Sequence, residues 1–399
     1  MQTLGEGPLK GIKVLDLGRV LSGPYCGMML ADMGADVIKL EMPNIGDDSR
    51  YYGPFQEGVS AYFSSVNRNK KSITLNLKDK KGKEIFLKLA GKADVIIENF
   101  RPGTMEKLGL DYETVKKKNP QIIYASISGF GQTGPFSKRA AYDGIVQAIG
   151  GIMSITGEKG GKPVKVGTSV GDIIAGMFCA YGIVAAYVNL TKTGKGQYID
   201  VAMLDSQIAI LENAIAKYTV AGVIPKPNGN THTSIFPFET FETATEDIMI
   251  AAGNNILWQK LCKVIGMEEL GYDERFSTNP NRDKNHDDMY EIVNKCLQVE
   301  PCEVWLKQLD EAGVPCSRIN TIDKVLQIEQ LHQREMFVKV NHPKVGEQIL
   351  AGVPIKLSET PGAVYKAAPE LGENNTEVYC SMLGIDGEEV KALKEKEII

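Results

Sequence analysis

The first third of the chain alternates short runs rich in Val and Ile with amphipathic stretches. That alternation constrains the fold more than any other feature, because it is the pattern of a parallel sheet covered by helices. Strands are predicted over Ile12 to Leu17, Asp36 to Leu40, Asp94 to Glu98 and Gln121 to Ser126, each entering a turn. Between them lie helical patterns such as Lys80 to Leu89, where Ile85, Phe86 and Leu89 share one face and lysines the other. Helices on both faces of a doubly wound sheet follow. At 399 residues the chain exceeds the roughly 250 to 300 residues at which single cores stop growing, so two unequal domains are expected.

From Gly129 to Gly171 the texture becomes glycine-rich and sparsely periodic, far longer than the usual connection of about 4 to 6 residues, and such loops are usually functional. An apolar helix is predicted from Ile173 to Thr191, stopped by Thr193-Gly194-Lys195-Gly196 before a strand at Tyr198 to Ala202. A helix from Leu204 to about Val220 comes next, and Pro225-Lys226-Pro227-Asn228-Gly229-Asn230 then reads as a linker. Strand-like Phe236 to Phe241 and Ile248 to Ala252 precede helical patterns at Asn255 to Ile265, Asp287 to Cys296 and Glu303 to Ala312. This is a smaller α+β unit. The expected division is therefore 1–224 plus 326–399 for the large domain and 225–325 for the small one, with a charged helical tail over Asp386 to Lys396.

Lys plus Arg total 45 against 50 for Asp plus Glu, a net charge of −5, which argues against nucleic acid or an anionic membrane as partner. Met1 to Leu9 has no apolar core of the signal-peptide kind, and no later stretch is read as approaching the roughly 18 uncharged apolar residues of a membrane span. A cytoplasmic location is expected. The seven cysteines are scattered without a CxxC pair and the four histidines without helical pairing, so reduced thiols and no catalytic metal are expected.

Three places could carry chemistry. The first strand runs into Gly18, Gly23 and Gly27, and a second strand ends in Glu41, which invites a dinucleotide reading. The spacing is not GxGxxG and Pro24 occupies the turn, so an NAD-dependent oxidoreductase is a remote alternative. Asp172 stands where the long loop meets the apolar helix. Position alone makes it an N-cap, yet a capping box would place Glu or Gln where Ala175 stands, and a carboxylate held ionised at a helix N-terminus is a ready nucleophile. Basic residues gather near strand ends: Arg68, Lys70 and Lys71, then Arg101 and Lys107, then Lys138 and Arg139. They suit a phosphate-bearing ligand beyond the carboxyl ends of the strands.

Several segments together resemble the class III, or formyl-CoA transferase type, family of CoA-transferases, which includes the carnitine CoA-transferases and covers nearly the whole chain. They are Gly18 to Pro24, Gly34 to Glu41, Asn67 to Ser72, Glu98 to Gly103 (Glu-Asn-Phe-Arg-Pro-Gly), Gly129 to Pro135 and Thr193 to Gln197. The resemblance implies that Asp172 is the nucleophile, passing through an anhydride and then an aspartyl-CoA thioester. It implies CoA contacts at Val20, Asn67, Lys70, Asn99, Phe100, Arg101 and Lys107. Lys107 stands where relatives often have Arg, keeping charge without the planar fork. Leu21 and Tyr142 are implied to line the substrate site. CoA and acyl-CoA enter as substrates, with no permanently bound cofactor. The implied architecture is a Rossmann-like large domain in an interlocked homodimer.

The family also contains α-methylacyl-CoA racemases, whose glycine-rich loop supplies a histidine. Here Tyr142 holds that position, and an ordinary tyrosine, with a pKa near 10, is a poor base at neutral pH. A racemase is therefore the alternative rather than the reading, and a non-catalytic CoA-binding module is a third. Formyl-CoA transferases carry glutamine where this chain has Leu21, arginine where it has Met42, and a polyglycine loop missing around Thr231 to Phe241. Those departures argue against formyl-CoA and oxalate.

Overall fold

A computed structural model describes residues 6–399. Six strands form one sheet: β1 (Lys13–Asp16), β2 (Asp36–Glu41), β3 (Lys71–Thr74), β4 (Val95–Glu98), β5 (Ile123–Ser128) and β6 (Tyr198–Ala202). Their spatial order is β3-β2-β1-β4-β5-β6 and every pairing is parallel. The protein is thus mixed α/β with a central parallel sheet. Five of these strands follow the sequence reading within two residues, and β3 completes the set on the far side of β2.

Both faces of the sheet are covered, which is why its strands read as near-continuous apolar runs. On one face Val14, Val37, Val95, Ile97, Ile123 and Ala125 pack with Cys26, Leu30 and Ala31 of helix α1 (Ser22–Asp32). The same face takes Val146 of α4 (Asp143–Ile149) and Ala175, Cys179 and Ile183 of α5 (Val170–Thr193). Between α1 and α4 in the chain lie α2 (Ala61–Asn67) and α3 (Lys80–Ala90). On the other face Leu15, Ile38, Ile73, Ile96 and Tyr124 pack with Ile85, Phe86 and Leu89 of α3, as its single apolar stripe requires, and with Val378, Tyr379 and Leu393 near the C-terminus.

Two sequence expectations need correction. The helix expected from Leu204 to Val220 is two helices, Met203–Ala209 and Glu212–Ala221. The helix expected from Ile173 to Thr191 starts earlier and ends later, at Val170–Thr193, and is long and apolar enough, by length and composition, to cross a membrane. In the structure one flank of it, Ala175, Cys179, Ala180, Ile183 and Ala186, is buried. Met177, Phe178, Tyr181, Val184 and Val188 are exposed.

The described residues divide into two compact units. One holds the residues up to Ile152, Val166–Thr219 and Glu329–Ile399, including the parallel sheet. The other holds Met153–Lys165 and Val220–Ile328. Its antiparallel sheet of Phe238–Phe241, Ile248–Ala251 and Cys316–Arg318 packs around Trp258, Phe276, Val293 and Trp305. A hairpin of Phe337–His342 and Gly346–Ala351 in the first unit had no counterpart in the sequence reading.

Candidate active site

In the sheet order β1 is where the sequence of strands reverses. From β1 the chain leaves into α1 on one face, while from β4 it leaves toward Met105, Leu110 and Val115 on the other. Loops departing to opposite sides open a crevice at the carboxyl ends of these two strands, the place where parallel sheets bind ligands. A cavity of about 400 Å³ occupies it, lined by Arg19, Val20, Leu21, Ser22, Asp48, Asn99, Phe100, Arg101, Arg139, Tyr142 and Asp172 among others.

Asp172 enters this cavity from the first turn of α5. Ser169 occupies the N-cap position and makes no side-chain cap bond, so Asp172 sits three residues into the helix and is not its cap. Its carboxylate accepts hydrogen bonds from Ser22, through side chain and backbone. Gly176, one turn further along α5, explains how the helices come so close: a Cβ there would meet the Ser22 carbonyl oxygen at 2.8 Å. Burial, with the Asp143 carboxylate adding to it, pushes Asp172 up to about 6, against the opposing bonds from Ser22. It is a desolvated carboxylate that is still largely ionised at neutral pH.

The partners of Asp172 are themselves fixed. Asp143 opens α4, accepts the Gly171 backbone N–H at 2.8 Å and the Gln147 side chain at 2.7 Å, and so ties the long loop to the start of α5. Asn99 binds the Arg19 backbone twice, accepting its N–H at 2.7 Å and donating to its carbonyl at 2.9 Å, and donates to Ser22 Oγ at 3.1 Å. Asn99, Ser22 and Asp172 thereby form a chain across the crevice. Arg19 pairs with Asp48 at the exposed rim. Val20 has φ +62°, a left-handed conformation that costs a β-branched residue of order 1–3 kcal/mol and persists only where neighbours enforce it.

Of the residues singled out in the sequence, Asp172, Val20, Leu21, Asn99, Phe100, Arg101 and Tyr142 meet in this one cavity. Arg101 also lines a neighbouring cavity of about 480 Å³ beside Glu98, Gln132 and Lys138, where burial pushes the Glu98 carboxyl up to about 7. Lys107 is exposed and lines neither cavity. Asn67 and Lys70 are also outside both, at 0% exposure. All three of the Lys70 hydrogen bonds go inward, to Asp16 at 2.8 Å, the Pro24 carbonyl at 2.8 Å and Asn67 at 2.9 Å. As placed here, Lys70 has no donor left for a phosphate. Sequence reasoning missed Ser22, Lys39, Asp47 and Asp143, although Ser22 and Lys39 lie inside segments that carried the resemblance.

The sequence matches CoA-transferase family III over residues 9–375. The chain belongs to this family. It is 43% identical, over 90% of its length and 92% of the relative's, to an acetyl-CoA:oxalate CoA-transferase of Acetobacter aceti. It is 39% identical to the human succinyl-CoA:glutarate CoA-transferase over 95% of this chain and 87% of that protein. A crystal structure of a CAIB/BAIF family protein from Brucella suis superposes with a TM-score of 0.85 at 38% identity, covering 94% of this chain and 99% of that one. The protein is a class III CoA-transferase, acting between acyl-CoA thioesters and carboxylates.

Proposed function

We propose that this CoA-transferase works through covalent catalysis on Asp172, passing CoA from an acyl-CoA donor to a small dicarboxylate. The observation that carries the reading is a half-buried carboxylate in the first turn of a long helix, at the crevice of the sheet, with Ser22 and Asn99 holding its orientation. An Asp172 oxygen attacks the thioester carbonyl, and the C–S bond breaks to give a mixed anhydride and CoA thiolate. The thiolate then attacks the Asp172 carbonyl, releasing the donor acid and leaving an aspartyl-CoA thioester. The acceptor carboxylate repeats the sequence in reverse and regenerates the free Asp172. No water enters, and desolvation serves the reaction twice, by sharpening the nucleophile and by excluding hydrolysis of the anhydride.

Arg101 is proposed to meet a CoA phosphate, with Val20, Asn99 and Phe100 along the pantetheine and Lys107 near the nucleotide end. Asn67 and Lys70 act from behind, through the backbone they hold. Arg19 and Arg139, the other arginines of the cavity wall, suit the second carboxylate of an acceptor. Leu21 and Tyr142 then bound its carbon chain. Relatives named for oxalate and for glutarate support a dicarboxylate and weaken the sequence argument against oxalate. The racemase reading is not favoured. No permanent cofactor, nucleic acid or membrane partner is part of this proposal, and the intracellular occurrence of CoA thioesters supports a cytoplasmic location. The strand order supports a Rossmann-like description of the sheet, and the large domain is proposed to carry CoA. An interlocked homodimer is supported by the apolar residues left exposed on α5 and by a helix, Glu212–Ala221, with no buried residue.

Intact-mass spectrometry after incubation with a panel of acyl-CoAs, with hydroxylamine or borohydride trapping, tests the mechanism. An adduct on wild type that Asp172→Asn lacks is the expected result, and an adduct on both proteins would sink it. Because attack needs the ionised carboxylate, kcat/KM is expected to fall as pH drops through about 6, the value to which burial raises Asp172. A limb near the ordinary carboxylate value of 3.8 would contradict the burial argument. Arg101→Ala is expected to weaken CoA by about 1.5 to 3 kcal/mol in a calorimetric titration, the size of a charge-assisted hydrogen bond. Unchanged affinity would return Arg101 to the solvated surface.

A further inference from the structure

The turn that brings Ser22 to Asp172 is gripped by four buried ionic side chains. Asp16 Oδ1 accepts the Gly18 N–H at 2.8 Å, and Lys39 Nζ donates to the Gly18 carbonyl at 2.7 Å. Asp47 accepts the Val20 N–H at 3.0 Å, and Lys70 Nζ donates to the Pro24 carbonyl at 2.8 Å. These four form two ion pairs, Lys39 with Asp47 at 2.7 Å and Lys70 with Asp16 at 2.8 Å, and the exposure of Asp16, Lys39 and Lys70 is 0% and that of Asp47 2%. Buried ion pairs contribute little net stability against apolar side chains of like volume. Here each ion also bonds the same short stretch of backbone, which includes Val20 in its unfavourable left-handed conformation.

We infer that Lys39 and Asp47, with Lys70 and Asp16 behind them, are positioning residues that clamp the Gly18–Pro24 turn so that Ser22 meets Asp172 in the geometry needed for attack. The inference rests on Asp172 being the nucleophile. The grip is independent of substrate: Asp47 is further held by Ser49 N and Oγ and by its own N–H on Glu41, which is tied to Arg50 and Ser72. Although burial would raise its pKa, the Lys39 ammonium holds Asp47 well below the usual carboxylate range, so Asp47 stays ionised across the working pH. The groups facing Asp172 itself are Ser22, Asp143 and Tyr62, with Arg19, Asp48, Arg139 and Tyr142 across the cavity.

The test is the apolar double variant K39M/D47L, assayed with succinyl-CoA and glutarate and compared with wild type. Removing both charges leaves no buried ion of this pair unpartnered, so the variant is expected to fold. Misplacement on the order of 1 Å at a reacting group costs about 10²-fold, and kcat is expected to fall by about that factor while affinity for free CoA falls far less. A second readout needs no turnover: the pH midpoint of the melting-temperature difference between each protein and its D172N counterpart. Ser22 bonds hold Asp172 down, so losing them should raise its folded-state value further and move that midpoint above its wild-type position, which lies between 3.8 and about 6. A purely structural role would lower the melting temperature and leave the midpoint in place. A folded K39M/D47L with wild-type kcat and midpoint overturns the inference. Should that variant not fold, K39Q/D47N removes the same charges at nearly constant volume, and wild-type values in it overturn the inference equally. If Asp172→Asn itself turns over normally, the nucleophile reading fails, while the midpoint still decides the clamp.

Discussion

Asp172→Asn is expected to abolish transfer, lowering kcat by about 10³-fold or more, and at the same time to make the protein more stable. Both effects come from one carboxylate. An amide of the same shape keeps the contact with Ser22 but cannot open the thioester, and loss of a covalent nucleophile removes a mechanism rather than a fraction of its rate. The gain in stability follows from the raised pKa. Asp172 titrates near 6 in the folded chain against 3.8 for the ordinary group, so the unfolded chain gives up this proton more readily than the folded one does. Below about pH 3, under both values, both states are protonated and the residue costs nothing. As pH rises toward 6 the fold must either hold the proton or bury a charge, and above 6 the penalty is complete, at most on the order of 3 kcal/mol. Asparagine removes it. The melting temperature of D172N should therefore exceed that of wild type by about 3 to 4 °C at pH 8, and the difference should vanish below about pH 3. A dead variant with no added stability at pH 8 would mean that solvation or a neighbouring cation relieves the charge in the native protein.

That coupling also marks what could be read from the sequence and what could not. The sheet was legible because its strands are buried on both faces and so are written in Val and Ile, and α3 because Ile85, Phe86 and Leu89 fall on one stripe. Asp172 was legible as a residue at a helix start, and position alone made it a cap, although Ala175 where a capping box needs Glu or Gln argued against that. The true cap position is Ser169, and what sets Asp172 apart is its approach to Ser22 at Gly176, a contact between distant segments that no local pattern encodes. The lysines were misleading for a related reason. On a sequence, Lys39 inside Val37-Ile38-Lys39-Leu40 looks like one charge on a strand and Lys70 like one more basic residue beside a strand end. A cation in a strand otherwise buried on both faces needs a partner from elsewhere in the chain. Asp47 and Asp16 are those partners, and finding them requires the sheet to be assembled first.

Lys70→Met should therefore destabilise the protein by about 3–5 kcal/mol, the usual cost of leaving a buried partner charge uncompensated, or roughly 5 °C in melting temperature. Burial already pulls the Lys70 ammonium below its ordinary value, and its position is kept by Asp16, Asn67 and the Pro24 carbonyl. Without it Asp16 loses its only ion-pair partner among the described residues, directly beneath Gly27, where even an added Cβ would meet Asp16 Oδ2 at 2.6 Å. Replacing both members, as in D16L/K70M, removes the uncompensated charge and should recover most of the stability lost in the single variant. Turnover should not recover with it, because the Gly18 N–H and the Pro24 carbonyl would still lack their anchors. A direct contact between Lys70 and a CoA phosphate predicts the opposite pattern: Lys70→Met would keep its melting temperature and lose affinity for CoA, and the double variant would bring nothing back. Thermal melts and CoA titrations on the two variants separate these cases, and the geometry around Lys70 favours the first.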